Sequence, residues 1–395
     1  MTGTSSPAPS QRHYGMDWLR IGAFALLILY HIAMVFVPWD FHVKSTHQAR
    51  WVVLPMLATN AWRLTLLFLV SGYASRFLLA RSPGPGAFVA QRSVRLLLPL
   101  LFGIVVIVPP QTWVELVTKH GYASSLPDFW LRDYFSFDHL AGVALPSWNH
   151  LWFVAYLWVY TAILTLATML VRMPAAQRWF DRVFGGWPVL VLPVVWLVCV
   201  HGWWYLMGVE SHRLFADPVG HLTFLPAFLF GFGLARSRPA MAAIERLWAP
   251  AAVVAIAAYL TILSIEMLHS PANPTPRWMF RPYGIAHALE QWCAIVALIG
   301  LAERWGRRDH PLRATLTEAV FPFYLIHQTI IVVAMAALLP ANLPGWAEFT
   351  VLLVATVAGC ALFYLCGRAI PWLRPLIGLR PAPPSRPREP QPAII

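Results

Sequence analysis

Ten apolar stretches, most of them close to the twenty residues that an α-helix needs to cross a hydrocarbon core, organise this chain. They fall at 17–38, 52–80, 93–113, 150–171, 187–209, 220–236, 248–268, 285–303, 316–339 and 346–368. In lipid every backbone N–H and C=O must be satisfied within the segment, so such stretches fold as helices. The expected fold is all-α, a polytopic membrane bundle of about ten transmembrane helices. The sixth stretch is the shortest and contains Pro226, Gly231 and Gly233. Composition agrees, because charged residues make up 12% of the chain, against about 25% in soluble proteins. That value excludes a disordered chain and most soluble enzymes. The four cysteines sit in apolar runs with no CxxC pair, so no disulfide framework, redox pair or metal site is expected.

The basic residues set the orientation. Of 29 Lys and Arg, 21 fall in the termini and in one alternating set of connections, including Arg76 and Arg81, Arg172 to Arg182, and Arg304 to Arg313. The other connections hold seven, and Arg63 lies inside a span. Positive charge marks the cytoplasmic side, so both termini are expected there. The net charge of +12 thus has a topological origin and calls for no nucleic-acid partner. Three regions follow: a polar cytoplasmic tail at 1–14 without a cleavable leader, a transmembrane domain at 15–370 and a Pro-rich cytoplasmic tail at 371–395. The longest outer connection, about 114–149, mixes aromatic and charged residues and is expected to form an ordered cap. Ser71-Gly72 reads as a site of close helix approach.

Ionisable side chains inside spans are costly and mark sites. Asp17, Arg20 and His31 share one face of the first helix, with Arg20 and His31 about 16 Å apart along its axis. Arg63 lies too deep in the second span to reach water easily. Arg92 and Arg95, spaced i,i+3 at the start of the third span, form a pair of guanidinium forks suited to phosphate, or else a positive-inside anchor. Pro99 predicts a kink there. His150 and Trp152 open the fourth span at the outer surface. His287 and Glu290 are i,i+3 neighbours in the eighth, where the carboxylate would orient an imidazole or offset Arg63. His327 lies near mid-membrane in the ninth. The basic cluster is thus cytoplasmic and the imidazoles lie from the midplane outward, which suits a phosphate-bearing donor and a reaction further out. A proton-coupled transporter using the buried His and Arg is the rival reading.

Six motifs add a resemblance. They are Asp17-Trp18-Leu19-Arg20 with His31 eleven residues beyond Arg20, Trp39-Asp40-Phe41-His42-Val43, and Arg63 leading into Phe68-Leu69-Val70-Ser71-Gly72-Tyr73. Arg92-x-x-Arg95, His150-Leu151-Trp152-Phe153 and Tyr324-Leu325-Ile326-His327 complete the set. In this order the chain resembles the acyltransferase 3 family of ten-helix membrane O-acyltransferases over roughly 12–370, and within it the glucan succinyltransferase branch. The resemblance implies a bacterial inner-membrane enzyme. Its donor is an acyl-CoA, succinyl-CoA or acetyl-CoA, bound from the cytoplasm, and its acceptor an extracytoplasmic carbohydrate hydroxyl. Arg92 and Arg95 would bind CoA phosphates, with Arg20 near the donor channel and Asp17 beside it. His31 would be the catalytic histidine, acting as general base or carrying the acyl group. Arg63 and His327 would line the reaction cavity, and His150 and Trp152 would stand at the acceptor entrance. From the chemistry of the residues themselves, Arg63 or His327 is expected to stabilise the oxyanion, Glu290 to orient an imidazole such as His287, and Asp17 and His287 to lie on the substrate path. Lipid is a partner throughout, and a homo-oligomer is compatible with the sequence.

Overall fold

The computed structural model describes residues 14–207, 210–269, 273–306 and 308–381. Most of both tails, with Arg12, Arg386 and Arg388, and also Arg307 lie outside these residues. Each of the ten apolar stretches carries a helix. In chain order these are α1 (Tyr14–Met34), α2 (Val53–Asn60), α3 (Arg63–Arg81), α4 (Pro85–Phe102), α5 (Pro109–His120) and α6 (Trp152–Leu170). They continue with α7 (Met173–Phe184), α8 (Pro188–Met207), α9 (Pro218–Leu234), α10 (Arg238–Leu268), α11 (Phe280–Trp305), α12 (Pro311–Leu338), α13 (Gly345–Ala369) and the short α14 (Leu373–Leu376). Among the described residues eight spans are long and apolar enough to cross a membrane, counting α2–α3 and α4–α5 as one each. A ninth is added if α7 and α8, bent by 94°, are taken together, and α9 is shorter.

The short α9 buries ten of its 17 residues and packs chiefly on α3. Two glycines allow that approach: a Cβ on Gly72 would stand 1.8 Å from the Phe228 carbonyl oxygen, and one on Gly231 1.9 Å from that of Leu69. The Ser71-Gly72 expectation is met, reciprocally, by backbone-to-backbone contact.

The third span departs from the expected outline. Pro99, where a kink is expected, lies within α4, and the irregular segment is the π-turn Gly103–Ile107. Pro109 has no N–H for the Val105 carbonyl, and Val108 N–H bonds Gly103 O instead of Ile104 O. Two carbonyls are thereby released, and buried carbonyls need partners. The outer connection supplies them: Trp130 Nε1 donates to Val105 O at 2.8 Å and Tyr134 OH to Ile104 O at 2.9 Å. The connection is an ordered cap, as expected, with a small hairpin of β1 (His139–Leu140) and β2 (Val143–Ala144). It begins later than expected, because α5 extends to His120.

Both described ends of the chain lie at one end of the bundle. Arg313 Nη1, near the start of α12, pairs with Asp17 Oδ2 of α1 at 2.7 Å, and Glu318 of α12 pairs with Arg374 of α14 at 3.7 Å.

Candidate active site

Three imidazoles meet where α1, α6 and α12 converge. His31 Nδ1 is 2.8 Å from His327 Nε2, and the His150 ring lies 5.1 Å from that of His327, nearly perpendicular. Their tautomers follow from the acceptors. His327 Nδ1 is 2.7 Å from the Tyr324 carbonyl, which only accepts, so Nδ1 carries the proton and Nε2 the lone pair. His31 Nδ1–H therefore donates to His327 Nε2, and the lone pair of His31 falls on Nε2. That atom has no partner among the described residues, and His31 borders a cavity of about 680 Å³. In the same way His150 donates from Nε2 to Leu325 O at 3.1 Å. Its Nδ1 is buried without a partner. The sequence places His150 at the outer surface; in the fold it is 7% exposed and part of the imidazole cluster.

Arg63 lines the same cavity and is 7% exposed. Its guanidinium lies 3.3 Å from the centre of the Tyr30 ring, and Nη1 donates to Asn60 Oδ1 at 2.9 Å. Tyr30 OH donates to the same oxygen at 3.1 Å, so three side chains hold one another. Glu290, the carboxylate proposed to offset Arg63 or orient His287, does neither: both its oxygens are buried without a hydrogen-bond partner. His287 instead meets His201 at 3.3 Å, and His201 meets Gln291, which donates to Thr65 Oγ1 at 2.7 Å. This chain lies away from the cavity wall.

A carboxylate–imidazole pair does exist near the cluster, in residues the sequence left without a role. His42 Nδ1 is 2.6 Å from Glu115 Oε2. His42 Nε2 meets Gln328 Nε2 at 2.8 Å, and Gln328 also donates to Gln111 Oε1. Gln328, one residue after His327, lines the cavity, as does Asn149, which donates to Gln111. Lys119 closes the outer end, bridging Glu115 and Asp40.

The cavity opens toward the cap and the 210–217 segment, with Trp148 and Trp152 on its walls. Asp217 secures that segment by accepting from Tyr156 OH and from the backbone N–H groups of His212 and Gly220. His212, with φ of 54°, stacks on Trp152 at 4.0 Å. Phe153 and Tyr324 also line the cavity, and both rings meet Phe24 of α1. The three rings contact one another edge-on, with centres 5.7 to 6.4 Å apart.

One turn before Phe24 on α1 stands Arg20. Arg20, Arg92 and Arg95 are close enough to act on one another electrostatically, and Arg380 adds to the field at Arg95. Arg92 Nε and Nη2 and Arg20 Nε are buried without partners, while Arg95 is exposed at the mouth. Because α4 starts at Pro85, Arg92 and Arg95 project from its second and third turns rather than from a helix start. Asp17 belongs to this end but pairs with Arg313, which Asp309 also holds at 2.7 Å.

The sequence matches, over residues 13–365, the family described as acyltransferase domain. It is similar to the proteins named Glucans biosynthesis protein C of Escherichia coli strain K12 and of Shigella dysenteriae serotype 1. Each is 25% identical over 394 residues, covering 95% of this chain and 97% of the relative. No solved structure matches the chain.

Proposed function

This chain belongs to the acyltransferase 3 family, and from that membership we propose that it transfers an acyl group, succinyl or acetyl, from cytoplasmic acyl-CoA to a hydroxyl of an extracytoplasmic glucan. The observation that carries the reading is the relay from the Tyr324 carbonyl through His327 to His31, which leaves a lone pair on His31 Nε2 at the cavity. An alcohol is a weak nucleophile at neutral pH, and a positioned imidazole is the usual remedy.

In the proposed reaction the acceptor hydroxyl gives its proton to His31 Nε2 while its oxygen attacks the thioester carbonyl. A C–O bond forms, the C–S bond of the tetrahedral intermediate breaks, and the departing thiolate takes the proton from His31 Nε2. His327 holds the imidazole in the required tautomer and shares the positive charge that develops on it. Arg63, fixed by Asn60 and Tyr30, supplies a cation to the oxyanion. The CoA phosphates occupy the arginine cluster, where the unpartnered nitrogens of Arg20 and Arg92 fit an anionic ligand with several oxygens. Trp148 offers a ring to the sugar at the outer mouth, and Trp152, whose face His212 covers, backs the wall there.

Free-CoA release from acyl-CoA, with and without glucan, tests the assignment. Wild type should release CoA in an acceptor-dependent manner and His31→Ala should not. Unchanged acceptor-dependent release in His31→Ala would overturn the role of His31. A mass spectrum of the glucan product reads acyl group and acceptor together.

A further inference from the structure

A second cavity, of about 500 Å³, lies on the flank of the bundle between α3, α7, α8 and α9. Its lining includes Arg76 and Thr65 of α3, which are eleven residues or about 16 Å of helix axis apart. Apolar and aromatic side chains such as Trp196, Phe230 and Trp292 make up most of that lining. The end at Arg76 is covered by α7, whose sequence MPAAQRWFDRVF buries Phe180 and exposes Arg178 and Arg182. This helix turns by 94° from the following span, the attitude of a helix lying in a membrane interface. Gln177 ties it to the end of α9 through Gly233 O at 3.1 Å.

Two guanidiniums stand at this interfacial end. Arg76 lies 4.6 Å over the Phe232 ring and Arg236 lies 5.8 Å over Phe77. They are near enough to repel one another, and neither has an ion-pair partner among the described residues. A cation pair at the headgroup level, opening on an apolar slot that descends toward mid-membrane, has the charge and shape of a phospholipid. Charge distribution places this end in the cytoplasmic leaflet, where anionic lipids attract such residues.

We infer that the flank cavity is a binding site for one anionic phospholipid, with its phosphate on Arg76 and Arg236 and an acyl chain in the slot toward Thr65. The site is separate from the reaction cavity, so the inference stands apart from the catalytic reading.

The test uses the full chain in nanodiscs of phosphatidylglycerol or phosphatidylcholine with identical acyl chains. Phosphatidylglycerol should raise the Tm by about 3 °C or more over phosphatidylcholine, and about one anionic lipid per chain should survive detergent extraction. Arg76→Gln with Arg236→Gln should abolish the preference. Ala227→Phe, which fills the slot and leaves the arginines in place, should abolish lipid retention and serves if the double variant folds poorly. Equal Tm in the two lipids, or a preference that survives both variants, would overturn the site. Equal stabilisation by inorganic phosphate in phosphatidylcholine would also overturn it, because the arginines would then need no acyl chain.

Discussion

The arginine cluster and the imidazole cavity stand at opposite ends of one stripe on α1, and they are finished to different degrees. In the cavity, His31, His327 and Arg63 each have a partner that fixes their geometry, although Arg63 Nε and His150 Nδ1 are buried without one. In the cluster, three guanidinium nitrogens of Arg20 and Arg92 are buried with none. A buried unpaired donor is costly, and the proposed phosphate-bearing donor would supply the partners the cluster lacks, whereas the His31–His327 pair is organised without a ligand. Substitutions in the cluster should therefore act on binding and those in the cavity on the chemical step.

Four experiments bear on that contrast. The largest effect belongs to His31→Ala, expected to lower kcat by about 10²- to 10⁴-fold, the range for a positioned acid–base group. KM for acyl-CoA should change little; a large rise in KM would place donor binding in the cavity. Next, Arg92→Ala with Arg95→Ala should raise KM for acyl-CoA about 10- to 100-fold, as loss of charge-assisted contacts implies. A thioester of the same acyl group on a carrier without phosphates should be affected far less, and equal effects on both donors would remove the phosphate reading. Third, Gln328→Leu should reduce kcat roughly tenfold by breaking the chain from His42 toward the cavity. Here an unchanged rate would show that this chain only fills space. The smallest effect is expected from Asp17→Asn, which leaves Arg313 with Asp309. It should cost about 1 kcal/mol of stability, read as Tm, with no change in the ratio of KM values for the two thioesters.

The same contrast explains what could be read in advance. Helices, their order and the outer cap were legible because apolar length and positive-inside bias act locally along the chain. Arg92, Arg95, Arg63, His31 and His327 were legible because charge and imidazole are rare in spans. The partners were not. Arg313 looks like one more cytoplasmic arginine until the fold sets it against Asp17, 296 residues away. Glu290 and His287 are neighbours by helical spacing, yet His287 faces α8 and meets His201. Asn60, Gln111 and Gln328 are neutral amides that no composition argument singles out. His42 and Glu115 fall just past the apolar stretches, and only the continuation of α5 beyond its two prolines brings them together. Spacing reports which residues share a helix face; it does not report what the facing helix carries.

Along α1, Phe24 falls between Arg20 and His31, and its ring meets those of Phe153 and Tyr324, which line the reaction cavity. Such a layer of rings is an electrical matter as well as a steric one. An energised membrane can tolerate deep cavities from either side, provided that no continuous file of water joins them. A hydrated ion entering the ring layer would meet a cost of several kcal/mol, whereas a short acyl chain on a flexible arm would slip between the rings as one more apolar group. Insulation and the proposed passage of an acyl chain are compatible in such a layer.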